Sequence, residues 1–244
     1  MRMKFSFKLG LRNPLIFVTL SALAVVPNYC LGLHFSVFED KFECIDIHNS
    51  LNCARSIESG LSDQVNHIQR TQPGHLTIAL NSEKSLTYTD ILPANSPAEH
   101  IAYSAIEQIT DNLLLIHQQL WEAHSYILLD LRNGHEYSLA GYPLLSPQGG
   151  YLFVAEQDLD AGFNENALQV YKLSENTLDL LYELKPENWG PEQAYWTTEN
   201  AVSFIQKQLN PNYFSNENQP FYIETKAVLS IAPDSQRVNI RYFD

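Results

Sequence analysis

An apolar/polar alternation with a period of two, cut at short intervals by turn residues, constrains this chain more than any other feature. Residues 113–121 (LLLIHQQLW), 125–131 (SYILLDL) and 136–140 (EYSLA) are strand-like. Asn133-Gly134 between the last two is a strong hairpin signal, because both central turn positions need a positive φ. A second unit follows at 142–145, 151–156, 167–173 and 177–184, with Ser174-Glu175-Asn176 as a tight turn. A third runs through 194–196, 201–208, 220–232 and 237–243, and Ala232-Pro233-Asp234-Ser235 turns its last pair. Each unit holds four strands in about 40–50 residues, the size of a propeller blade. Residues 75–80 and 85–89 belong to a partial first unit. Ser96-Pro97-Ala98-Glu99 has the chemistry of a helix start. The alternation of Tyr103, Ala105, Glu107 and Ile109 nevertheless favours a strand from Ala102 onward.

Both faces of the 113–131 hairpin are apolar. Pairing through a turn at Glu122-Ala123 puts Leu113, Leu115, Trp121, Tyr126 and Leu128 on one face, with Leu114, Ile116, Leu120, Ile127, Leu129 and Leu131 on the other. A sheet of that kind has to be covered on both sides. The expected fold class is all-β: consecutive four-stranded antiparallel meanders, propeller-like (a small or incomplete β-propeller, with a β-sandwich as the alternative), plus a short N-terminal helix. Ser146-Pro147-Gln148-Gly149-Gly150 and the strand 151–155 resemble the Ser-Pro-Asp-Gly turn and following strand of TolB and WD40-like propeller repeats. A degenerate copy lies at 196–204, and the resemblance covers about 140 residues. It implies an interaction scaffold more often than an enzyme, although a fold does not fix a function.

The N-terminal segment reads as an address. Arg2, Lys4, Lys8 and Arg12 precede an apolar run at 14–26, too short for a membrane span of about 20 residues. The expectation is a signal peptide over 1–32, with cleavage after Gly32 preferred over Ala24, and a secreted or periplasmic domain at 33–244. An uncleaved signal anchor is the competing reading. Cleavage after Gly32 leaves Cys44 and Cys53, which an oxidising compartment would let pair. That disulfide would pin a helix over 49–60, capped by Asn49 or Ser50 and stopped at Gly60, within an N-terminal segment 33–70. Repeated β units then fill 75–244.

Charge narrows the partners. The chain has 15 basic and 28 acidic side chains, and four of the basic ones lie in 1–32. Residues 33–244 therefore carry a formal charge of −17. Nucleic acid is excluded as a partner, because phosphate binding needs clustered Lys and Arg. Another protein with a basic surface is the expected partner, met by a chain that is not membrane-embedded after signal cleavage.

Pointers to a site are few. The acidic loop 156–166 offers Glu156, Asp158, Asp160 and Asn164 as oxygen ligands for Ca2+, without EF-hand spacing; a solvated hairpin loop is the alternative. His117, Glu122 and His124 are close in sequence, but the expected pairing sets His117 opposite Leu128 and Trp121 opposite His124, too far apart for one zinc ion. Neither a Gly-x-Ser-x-Gly elbow nor a His-Glu-x-x-His helix is present, so no catalytic residue is assigned. Phe163, Trp189, Tyr213 and Phe214 lie in or beside loops and are candidate partner anchors; folding back over the sheet edges is the other use for them. Loops 157–166 and 209–219 are longer than hairpins need, which makes them the places to look for recognition. The leading expectation is a non-catalytic, possible inhibitor-type binding module. The alternative is an envelope hydrolase whose site the sequence does not display.

Overall fold

The computed structural model describes residues 50–175, 177–215 and 219–243, with the side chain of Phe214 outside that set. Helix α1 (Ser50–Ser62) leads into four open antiparallel meanders. Sheet I is β1 (Ile68–Gln72), β2 (His75–Ala79) and β3 (Ser85–Thr89). Sheet II is β4 (Ile101–Thr110), β5 (Leu113–Leu120), β6 (His124–Asp130) and β7 (His135–Leu139). Sheet III is β8 (Tyr142–Leu145), β9 (Tyr151–Glu156), β10 (Ala167–Leu173) and β11 (Leu178–Leu184). Sheet IV is β12 (Trp189–Thr198), β13 (Ala201–Leu209), β14 (Tyr222–Ile231) and β15 (Val238–Phe243). The all-β, propeller-like succession of meanders expected from the sequence is what the chain forms.

Strand alternation builds the stack. Leu114, Ile116, Leu129 and Leu131 of sheet II pack with Ile68, Leu76 and Ile78 of sheet I. The alternate residues Leu113, Leu115, Tyr126 and Leu128 pack with Leu152 and Val154 of sheet III. Tyr151, Phe153 and Ala155 point the other way, onto Val202, Phe204, Ala227 and Leu229 of sheet IV. Each inner sheet thus contributes its odd and even residues to two different cores.

Neighbouring hairpins are also stapled by polar contacts. The Glu199 carboxylate, between β12 and β13, accepts from Ser146 Oγ (2.8 Å), Gln148 N (2.7 Å) and Gly150 N (3.1 Å) of the β8–β9 turn. The two turns that share the repeat-like motif are therefore in contact with one another. Trp196 Nε1 donates to the Leu144 carbonyl at 2.9 Å beside them.

Several local expectations are corrected. Sheet I gains β1, inside the segment read as non-repeat. The helix runs through Gly60 to Ser62, since nothing crowds that position and it needs no left-handed turn. Pro97–Glu99 is a single 3-10 turn without a Ser96 side-chain cap, and the strand starts at Ile101. Strand β12 begins at Trp189, earlier than the alternation suggests, because an edge strand tolerates Pro191.

The expected Cys44–Cys53 disulfide leads out of the described residues: Cys53 is disulfide-bonded, and no Sγ–Sγ pair lies within the described set itself. Cys53 packs in the core with Ala54, while Cys44, Cys30 and the expected signal segment 1–32 lie outside the described residues. Among the described contacts, α1 is fastened by charge. Glu58 is 5% exposed and accepts from Arg70 Nε (2.5 Å), Arg70 Nη2 (2.7 Å) and Ala105 N (3.1 Å). Arg55 bonds Asp90 and the Tyr103 carbonyl, and Asp90 accepts from Tyr103 N at 3.0 Å.

Candidate functional site

Loop 157–166, between β9 and β10, is shaped by one carboxylate and one glycine. Asp158 accepts backbone N–H bonds from Ala161, Gly162, Phe163 and Asn164 at 2.8–3.0 Å. Gly162 sits at φ 70°, a conformation that L side chains rarely adopt. Burial alone would raise the Asp158 carboxyl, but the four amides outweigh it and hold the group below its ordinary range.

The loop is tied outward as well. Asn164 Oδ1 accepts from the His124 backbone N–H at 3.1 Å, docking the loop on sheet II. Tyr222 OH donates to Asp160, docking it on sheet IV. Glu156 is the last residue of β9, and its carboxylate meets His124 Nε2 at 3.1 Å. The four residues considered for Ca2+ are thus committed to different partners. No group of three or more His, Cys, Asp or Glu residues able to hold a metal ion occurs among the described residues.

The histidine spacing needs correction. The β5–β6 turn lies one residue earlier than expected, with Leu120 N bonded to the Ala123 carbonyl, and the register pairs His117 with Tyr126 and Gln119 with His124. The two imidazoles are therefore 6.0 Å apart, centroid to centroid, instead of separated along the hairpin. They pack around Tyr126 at 5.3 and 5.6 Å.

Both long loops singled out from the sequence open onto one cleft. Its volume is about 830 Å³, and its walls come from 158–166, from Lys185-Pro186-Glu187-Asn188 ahead of β12, and from Gln208, Leu209 and Pro211. Apolar contacts are offered by Leu159, Pro186, Leu209 and Pro211, and carboxamides by Asn164, Asn166, Asn188 and Gln208. Lys185 Nζ donates to Glu165 at 2.7 Å across the opening. Gly190 lets the chain pass beneath the loop, since a Cβ there would sit 2.3 Å from Gln157 Cγ. The wall at 185–188 was not legible beforehand; its one signal is a proline in a polar connection ahead of an expected strand.

The aromatic candidates separate. Phe163 is 51% exposed on the loop tip. Trp189 is a strand residue, half-buried and stacked on Phe204 at 6.4 Å and 11°. Tyr213 is half-buried, edge-on to Phe221 at 4.8 Å, and the Phe214 side chain lies outside the described set.

Asp158→Ala strips four backbone N–H groups of their acceptor. Amide hydrogen exchange across 161–164 should accelerate at least tenfold while the sheet III strands stay protected.

No helix among the described residues is long and apolar enough to cross a membrane. No protein-family model matches the chain, and no curated protein matches it. Among solved structures, a chain from a complex of S. cerevisiae Dbp5 bound to Nup159, Gle1, IP6 and ADP is similar, at 9% identity and a TM-score of 0.34. The match covers 70% of this chain and 45% of that one, so the present protein spans less than half the length of its structural neighbour.

Proposed function

We propose that the protein is a non-catalytic binding module that holds a polypeptide partner in the cleft between loop 157–166, residues 185–188 and the end of β13. The observation that carries this reading is the convergence of the two loops the sheets do not need, 157–166 and the one after β13, on a single cleft of about 830 Å³. That volume lies in the range of ligand-binding clefts. The carboxamides of Asn188 and Gln208 can donate to and accept from peptide groups, and two prolines and two leucines supply apolar contact. No aromatic ring lines the cleft among the described residues, so a sugar would find no stacking platform.

The Ser146–Ala155 turn and strand support reading the four sheets as degenerate repeats of the TolB and WD40-like kind. The basic and then apolar layout of 1–26 supports export, so the partner is sought in the extracellular or periplasmic fraction. Leu209 is 40% exposed on the cleft wall, which makes Leu209→Arg a change that alters the cleft while leaving the cores intact. A partner captured by the immobilised protein from that fraction should bind Leu209→Arg at least tenfold more weakly. Equal capture by both proteins would remove the cleft from the interface.

A further inference from the structure

We infer that the occupant of the cleft is an extended cationic peptide segment, whose Lys or Arg side chains pair with Glu165 and Glu187. The inference rests on the cleft being the binding site and adds the chemistry of what enters it. The walls carry Asp158, Glu165 and Glu187 against a single cation, Lys185. Asp158 is spent on the loop's own amides, which leaves Glu165 and Glu187 to meet a ligand.

Lys185 shows what the site accepts. Its ammonium sits on Glu165 at 2.7 Å, with both side chains more than half exposed, so an incoming ammonium or guanidinium can exchange with it at little cost. Glu187 is exposed and makes no hydrogen bond or ion pair with the described residues. The carboxamides of Asn188 and Gln208 line the same cleft and can bond a peptide backbone, while Asn164 and Asn166 use their Oδ1 atoms on His124 N and Asp158 N. A cleft of about 830 Å³ takes a short stretch of an extended strand, which rises roughly 3.3 Å per residue. The field of the whole domain, −17 over residues 33–244, steers the same kind of ligand.

The test uses a fluorescent deca-lysine probe, with deca-glutamate as its opposite, followed by anisotropy at 150 mM salt. Glu165→Gln with Glu187→Gln should weaken deca-lysine about tenfold, as expected for the loss of two partly exposed charge pairs. Glu83→Gln with Glu99→Gln removes the same charge at exposed positions outside the cleft lining and should change affinity less than twofold. Equal loss in the two double variants, no binding of deca-lysine, or binding of deca-glutamate as tight as that of deca-lysine each overturns the inference. The two readings also fail separately. A natural partner lost with Leu209→Arg but kept by Glu165→Gln with Glu187→Gln leaves the binding site standing and removes the cationic ligand.

Discussion

Glu58→Ala should lower the stability of the protein by about 3–5 kcal/mol, read from equilibrium urea denaturation. The carboxylate is enclosed by α1, β1 and β4. Removing it leaves the Arg70 guanidinium, whose Nε and Nη2 both donate to Glu58, with the Tyr103 carbonyl at 2.8 Å from Nη2 and Asp90 at 3.7 Å from Nη1. It also orphans the Ala105 amide in the core. Arg70 Nη1 is already buried without a hydrogen bond, so little local slack remains to absorb the loss. Burial pushes the Glu58 carboxyl up to about 7, against the pull of Arg55 and the Ala105 amide, so the site depends on its cations for its charge. Pairing the change with an apolar replacement of the cation, Glu58→Leu with Arg70→Leu, should recover at least half of the deficit, because the Arg70 charge leaves together with its acceptor while Arg55 still pairs with Asp90. Recovery of nothing would show that the loss came from packing instead of charge.

His117 sets the second large effect. Burial at 4% exposure, assisted by the neighbouring His124, lowers its pKa from 6.5 to about 3, so the imidazole is neutral in the fold and free to protonate once unfolded. With the folded value below the unfolded one, the unfolded state binds the extra proton between about pH 6.5 and 3. The His117 contribution to stability is then fully present above the upper limit and falls by about 1.4 kcal/mol per pH unit below it. Glu58, held up at about 7, titrates in the same window with the opposite sign, so the imidazole's share is read against a His117 variant and should reach about 2–3 kcal/mol at pH 4.5 relative to neutral pH. His117→Phe should flatten that slope. Asp130 and Asp158, whose carboxyls are held low, lose their contributions only at more acidic pH, so the difference in slope between the two proteins over pH 6–4.5 isolates the imidazole. A parent and variant with equal slopes would contradict the burial argument.

The histidines also show what the sequence could and could not reveal. The expected β5–β6 pairing was displaced by two residues from the real one, and because strand side chains alternate with a period of two, a two-residue slip leaves every residue on its correct face. The two apolar faces of sheet II were therefore readable, down to Leu113 and Leu115 against Leu114 and Ile116. Distances along the hairpin are not protected by that parity. His117 and His124 looked well separated and are in fact neighbours, because the chain reverses at Trp121-Glu122. Parity likewise could not place Trp189. Its neighbours Gly190 and Pro191 signal a turn by composition, while their place on the edge strand of sheet IV makes them compatible with a strand. Loops 157–166 and 209–219 were identifiable because their length exceeds what a hairpin requires. Their convergence, and the contribution of 185–188, depend on how sheet III meets sheet IV, and no local pattern encodes that.

That meeting has a mechanical consequence. Among the described residues, sheet IV is joined to the stack by a single apolar core, shared with sheet III. Stability in such an array is close to a sum over adjacent interfaces, so the end sheets, I and IV, each with one neighbour, are the first able to loosen. The cleft spans that seam, with loop 157–166 on one side and the end of β13 on the other. A ligand held there acts as a clasp: the free energy with which it binds is added directly to the joint that holds the outermost layer in place.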